Sequence, residues 1–212
     1  MRKLDWYFDV ISPFAYLQSE QLEELAQFGE LRCKPVLFAG LLNHFGNVGP
    51  AEFAEKRRVT FERVAWVATR KGIPLQFPSE HPFNPIPLLR FVIASGCTRV
   101  AVHAAFRFVW QAGKLPSSHP EDFSALLTQF GLTDEQINAA PVKQALLDFG
   151  QEAIRRGVFG VPTTAVDDEI FWGEDSMEVL AAFCANDPFF QSGLLQAARS
   201  LPQGLQRKRS AP

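Results

Sequence analysis

The sequence predicts an α/β protein ordered as β-α-β, a long helical stretch, then β-β-α. Three observations carry this. Residues 4–11, LDWYFDVI, alternate with the two-residue period of a strand and run into Ser12-Pro13, a helix start, with a second strand-like run at 31–38. From Ala51 to residue 156 the apolar spacing is mostly helical. The last third, GVFGVPTTAVDDEIFWGEDSMEVLAAFC, reads as loop, strand, Asp-Asp turn, strand and helix.

In the first strand Leu4, Trp6, Phe8 and Val10 fall on one face, and Asp5, Tyr7 and Asp9 on the other. Ser12 is a preferred N-cap, and Pro13 suits the first helical position, where a missing N–H costs nothing. The helix is expected to continue through PFAYLQSEQLEELAQFG, with Leu22, Leu25 and Ala26 in a 3.6 period and Gly29 as its stop. LRCKPVLF is the second strand, and Pro35, unable to donate to a ladder, marks an edge or a bulge. Two strands joined by a helix imply a parallel pair with a right-handed crossover. FAGLLNHFGNVGP is expected to be loop after Leu42, with Gly46-Asn47 as a turn. A helix from Ala51 to Lys71 has Phe53, Phe61, Val64 and Val67 or Ala68 as its apolar side. Pro74, Pro78, Pro82, Pro85 and Pro87 keep residues 72–87 from forming a long regular element. Helical patterns resume at 87–95, 97–113, 120–130, 133–139 and 141–156. Asp167-Asp168 turns a hairpin, and Glu174 or Asp175 opens a helix ending near Ala185-Asn186.

This segment order is that of a thioredoxin-like fold (βαβ…ββα) with a large all-helical insertion. The expected domains are residues 1–45 with 157–200 as a discontinuous thioredoxin-like domain, 46–156 as the inserted helical subdomain, and 201–212 as a flexible basic tail.

With 212 residues, 47% of them hydrophobic, the chain can bury a core without metal or disulfide help. A formal charge of −2 gives no pull toward nucleic acid. No apolar run approaches the roughly 18 to 20 residues that cross a bilayer, and MRKLDWYFDV lacks the apolar region of a secretory leader. Cys33, Cys97 and Cys184 are odd in number and contain no CxxC pair, which disfavours a disulfide framework. His44, His81, His103 and His119 show no ligand spacing, so no metal site is expected. The expected setting is reducing and cytoplasmic.

Chemistry concentrates at the carboxyl end of the first strand, where parallel sheets bind ligands. Ser12 sits at a helix N-terminus, whose free N–H groups and partial positive charge stabilise an anion such as a thiolate. It is either a plain N-cap or a hydrogen-bond donor to a ligand's sulfur. Val161-Pro162, bracketed by Gly157 and Gly160, is a candidate cis peptide whose preceding residue exposes backbone groups to an extended peptide. Asp175 and Ser176 either cap the last helix or pair with a ligand's ammonium and carboxylate. Asn47 is either a turn residue or a ligand contact.

YFDVISPFAYL, KPVLFAGLLNHFGNVGP, GVFGVPT and FWGEDSMEVL, in this order and spacing, resemble the 2-hydroxychromene-2-carboxylate isomerase family. That family is related to kappa-class glutathione transferases and, more distantly, to periplasmic disulfide oxidoreductases. The resemblance covers residues 4–187. It implies a homodimer that uses glutathione as cofactor to isomerise an unsaturated aromatic 2-oxo acid by reversible thiolate addition, rotation and elimination. It makes Ser12 the active-site serine, continued by Pro13 and Phe14, and assigns glutathione contacts to Asn47, Val161 before Pro162, Asp175 and Ser176. Asn84, Pro85 and Lys56 become candidates for substrate contact. HPFNPIPLLR is less polar and less cationic than the resemblance leads one to expect; Arg90 is its cation, with Lys56 and Arg57 on the preceding helix. The alternatives are a kappa-class-like transferase, which consumes glutathione, and a non-catalytic peptide-binding module. Neither involves nucleic acid or membrane.

Overall fold

The computed structural model describes residues 1–204. Strand β1 (Lys3–Phe8) runs through the middle of a four-stranded sheet. It pairs in parallel with β2 (Glu30–Pro35), from Lys3 opposite Glu30 to Phe8 opposite Pro35. On its other side lies antiparallel β3 (Thr163–Val166), followed by β4 (Glu169–Trp172), giving the order β2-β1-β3-β4. Pro35 is on an edge strand, as its missing donor requires. The hairpin turns at Asp167, whose left-handed φ of 52° is one that Asp tolerates better than most side chains.

The alternation read in β1 does not divide core from solvent. Leu4, Trp6, Tyr7 and Phe8 are all wholly buried, and Asp5 nearly so. Helices cover both faces. The crossover between β1 and β2 comprises α1 (Pro13–Ser19) and α2 (Leu22–Leu25). After β2 come α3 (Phe38–Phe45), α4 (Ala54–Lys71), α5 (Ile86–Ala94), α6 (Arg99–Trp110), α7 (Pro120–Gln129), α8 (Asp134–Ile137) and α9 (Ala140–Arg155). On one face Trp6 stacks on Phe8, and Phe8 meets Phe106 of α6, which also meets Tyr16 of α1. On the other, Tyr7 packs with Val36, Leu41, Ala153 and Val158. Asp5 is held by Arg32 and Arg156 at 2.7 and 2.6 Å. A buried carboxylate needs such partners.

Further expectations are corrected, among them a helix from Ala51: α4 starts at Ala54, and Phe53, expected on its apolar side, precedes it and is exposed. The first helix is not continuous to Gly29: it stops at Ser19, and α2 and a short 3₁₀ turn, Ala26–Phe28, follow. Ser19 turns its hydroxyl back onto the Tyr16 carbonyl at 2.7 Å, and Gln21 leaves the helical region (φ −114°, ψ 15°). The segment after Leu42 is not loop, since α3 runs on to Phe45 and closes on Gly46 with φ 60°. Helix α3 has no cap of its own at Leu37. Its first N–H, from Phe38, is taken by the carboxylate of Asp9 at 2.8 Å, a partner 29 positions away.

The described residues form two compact units, residues 1–177 and 178–204. Within the second, α10 (Met177–Cys184) contributes all but its first residue, and α11 (Gly193–Arg199) is capped by Ser192. Of the tail expected at 201–212, residues 205–212 lie outside the described residues. No helix among the described residues is long and apolar enough to cross a membrane.

Candidate active site

Ser12 caps α1. Its Oγ accepts from the Ala15 N–H at 3.2 Å, and Pro13 occupies the first helical position. The side chain is buried. Its hydroxyl donates to the Val161 carbonyl at 3.4 Å, long for a bond between two oxygens. Ser12 and Val161 thus meet across the sheet, although 149 positions separate them. The Val161-Pro162 peptide is cis, as is His81-Pro82, which no sequence signal had singled out.

The turn before Ser12 is braced from several directions. Asp9, wholly buried, accepts from the Ile11 N–H at 3.0 Å as well as from Phe38, and its carbonyl takes the Ser12 N–H at 3.0 Å. Burial outweighs those two N–H bonds and pushes its carboxyl up to about 7. Trp110 donates its indole N–H to the Val10 carbonyl at 2.8 Å. Nε2 of His81 lies 2.9 Å from the Ile11 carbonyl, which makes it the donor and the protonated nitrogen. Burial, and secondarily the Arg57 charge, lower the His81 pKa. Arg57 donates to the His81 carbonyl and lies over Phe61.

A second chain of bonds ties the proline loop to the turn after β4. Gly173 N–H donates to the Pro162 carbonyl at 2.9 Å. The Gly173 carbonyl takes the Ser176 hydroxyl at 2.7 Å and the Gln18 amide of α1 at 3.2 Å. Asp175, exposed, pairs with Arg63 of α4 at 2.9 Å, and the Arg63 guanidinium lies 5.2 Å from the centre of the Phe14 ring. Ser12, Pro13, Phe14, Val161, Pro162, Asp175 and Ser176 are therefore one constellation.

Asn47, Lys56, Asn84 and Pro85 join it through no hydrogen bond or ion pair among the described residues. Asn47 follows Gly46 at the end of α3, exposed, its Oδ1 accepting from Val48. Lys56 is exposed on the first turn of α4. Pro85 is buried ahead of α5. Asn84 accepts from the Ile86 N–H and lines a different cleft, of about 550 Å³, with Pro87, Phe123, Leu127 and Ile137. Arg90 is committed to Asn138 at 2.9 Å. Sequence reasoning missed Asp9, His81 and Arg63. The sequence reading places Asp9 on a strand face and gives Arg63 no role; only their distant partners give them a place here.

Two of the three thiols, Cys33 and Cys97, are held in the protonated form by their surroundings. Burial pushes Cys33 up to about 12 and Cys97 up to about 11. What stands at the head of α1 is a hydroxyl.

Residues 3–185 match the model of the DsbA-like thioredoxin domain. The chain belongs to that family. Within the DsbA-like family it sits with the 2-hydroxychromene-2-carboxylate isomerases and their kappa-class relatives. It is 30% identical over 188 residues to 2-hydroxychromene-2-carboxylate isomerase of Pseudomonas putida, covering 84% of this chain and 91% of that one. It is 25% identical over 202 residues to human glutathione S-transferase kappa 1, covering 85% and 89%. A solved 2-hydroxychromene-2-carboxylate isomerase structure superimposes with a TM-score of 0.74 at 25% identity, covering 95% of this chain and all of the other. The sequence relatives are named as isomerases and glutathione transferases, and the solved isomerase shares the fold described above.

Proposed function

We propose that this chain is a glutathione-dependent isomerase acting on an unsaturated 2-oxo acid. The observation that carries the reading is the buried Ser12 hydroxyl at the N-terminus of α1, bonded to the Val161 carbonyl at 3.4 Å. Relatives named as isomerases and as kappa-class glutathione transferases support it. The donor set suits such a cofactor: a hydroxyl and helix N–H groups for a thiolate, the Val161 backbone for the cysteinyl unit, the exposed Asp175 carboxylate for an ammonium.

When bound, glutathione would supply a nucleophilic sulfur, the chemistry that reversible addition to an unsaturated carbon and rotation about the former double bond require. The protein's part is electrostatic. Pro13 has no N–H and Ser12 Oγ takes that of Ala15, so the first turn of α1 offers the Phe14 N–H and about half a positive charge. The Ser12 hydroxyl, whose bond to the Val161 carbonyl is long and weak, would turn its proton toward the sulfur. Lowering a thiol pKa by about 2 units takes about 2.7 kcal/mol. A helix terminus contributes about 0.3 to 2 kcal/mol and one hydrogen bond to a charged group about 1.5 to 3 kcal/mol, which together suffice. For the substrate's carboxylate, Arg57 is the cation linked to the Ser12 turn, through His81 and Ile11. A homodimer belongs to the same reading.

The test is a titration of glutathione into the protein at neutral pH, following thiolate absorbance in the ultraviolet. A saturable signal is expected, lost in Ser12→Ala together with turnover, while the lost cap costs only about 1 kcal/mol of stability. Full turnover in Ser12→Ala sinks the assignment. A kappa-type transferase has the same site, and the human kappa relative keeps that reading open. Glutathione is regenerated by an isomerase and consumed by a transferase.

A further inference from the structure

Three carboxyl side chains are buried among the described residues: Asp5, Asp9 and Glu174. Asp5 is held by Arg32 and Arg156, and Glu174 by Lys71. Asp9 forms no ion pair among the described residues, and its two oxygens accept from the N–H groups of Ile11 and Phe38. A buried acid without a cation is costly to ionise, and groups so placed cluster at functional sites. The titratable groups on the elements around it are engaged elsewhere. His81 meets the Ile11 carbonyl, and Arg57 the His81 carbonyl. Tyr16 of α1 donates to the Pro74 carbonyl. Along β1 and β2, Tyr7 donates to Glu152, and Lys34 is shared by Asp5 and Glu152. His44 is on the last turn of α3, whose first N–H Asp9 takes. Asp9 opens the turn that Ser12 closes, since the Ser12 N–H donates to the Asp9 carbonyl at 3.0 Å. A turn of this kind keeps its end Cα atoms within about 7 Å, which leaves the Asp9 carboxyl within about 10 Å of a sulfur on the Ser12 hydroxyl.

We propose that Asp9 sets the pH above which the site stops favouring a thiolate: its carboxyl group and the ligand's sulfur share one buried turn, and a charge on either opposes a charge on the other. This rests on the glutathione reading, because it needs a thiolate at Ser12. Asp9 is wholly buried, so it touches no ligand and acts by its charge. Two like charges about 10 Å apart, at an effective dielectric constant of about 20, shift one another's equilibria about tenfold. Burial pushes Asp9 up to about 7, which places the exchange near neutral pH. Below that pH the acid is neutral and the positive end of α1 acts on the sulfur unopposed. Above it the ionised acid opposes the thiolate. By linkage, a bound thiolate in turn holds Asp9 protonated.

Calorimetric titration of the full chain with glutathione and with S-methylglutathione, whose sulfur cannot ionise, tests this in wild type and Asp9→Asn. The affinity of the variant for glutathione, relative to wild type, should rise about tenfold between about pH 6 and pH 9. For S-methylglutathione the same ratio should stay flat. A merely structural role of Asp9 would change both ligands alike and at every pH. Wild type by itself gives a second reading that needs no folded variant. Near pH 7.5 Asp9 takes up a proton as the thiol loses one, so binding should release at most about half the protons that the thiol alone would lose, measured in buffers of different ionisation enthalpy. A flat ratio for glutathione, an equal change for S-methylglutathione, or full proton release in wild type overturns the proposal and leaves the glutathione reading standing. Wild-type protein that binds neither ligand overturns both.

Discussion

Asp9→Asn tests the accounting of the turn that carries Ser12. Burial raises Asp9 from 3.8, where it ionises in an unfolded chain, to about 7. Between about pH 4 and pH 7 the unfolded chain has lost a proton that the folded chain keeps. The folded state binds more protons there, so stability falls as pH rises through that window, by up to about 1.4 kcal/mol per pH unit and about 4 kcal/mol in all. Asparagine stays neutral and removes this slope. It also replaces one of the two oxygens that accept from Ile11 and Phe38 with a donor, a loss of about 1 to 3 kcal/mol at every pH. Wild type should thus be the more stable protein near pH 4 and the less stable one near pH 8, the two curves crossing in between. Urea unfolding of both proteins across that range, followed by tryptophan fluorescence, gives the difference directly. A difference that stays constant with pH, or grows in favour of wild type as pH rises, refutes the reasoning. It would mean that the two N–H bonds outweigh burial and keep Asp9 ionised.

Other outcomes follow from the same structure. Trp110→Phe keeps an aromatic ring, though a smaller one, but strands the buried Val10 carbonyl, and should cost at least about 1 to 3 kcal/mol in the same urea assay. Gly173 has φ 99°, and a Cβ there would come within 2.5 Å of Asp175 Oδ1. Gly173→Ala should therefore strain the turn by at least about 1 kcal/mol and weaken glutathione binding by displacing Asp175, which calorimetry reads. Cys33, buried and with its thiol pushed up to about 12, should react with a thiol-specific alkylating reagent at pH 8 far more slowly in folded than in urea-unfolded protein. Rapid labelling in the folded state, located by peptide mass, contradicts that.

The elements legible in the sequence are those with local causes. Ser12 caps α1 because its own oxygen reaches a nearby N–H and Pro13 has none to offer. The Asp167-Asp168 hairpin and the helices from α5 to α9 are likewise written in turn chemistry and period, which need no distant partner. What the tertiary structure decided is everything set by partners far away in the chain. Helix α1 stops early while Gln18 is drawn to Trp6 and Gly173, and α3 begins where Asp9 supplies the cap that Leu37 lacks. The buried second face of β1 follows from helices on both sides of the sheet, which one strand's alternation cannot foretell. The same holds for the candidate site. Ser12, the proline loop and the Asp175–Ser176 turn were each recognisable as segments. Their meeting, the charge state of Asp9 and the placement of Arg63 beside Phe14 arise only when the chain closes, because charges and hydrogen bonds act through space and not along the sequence.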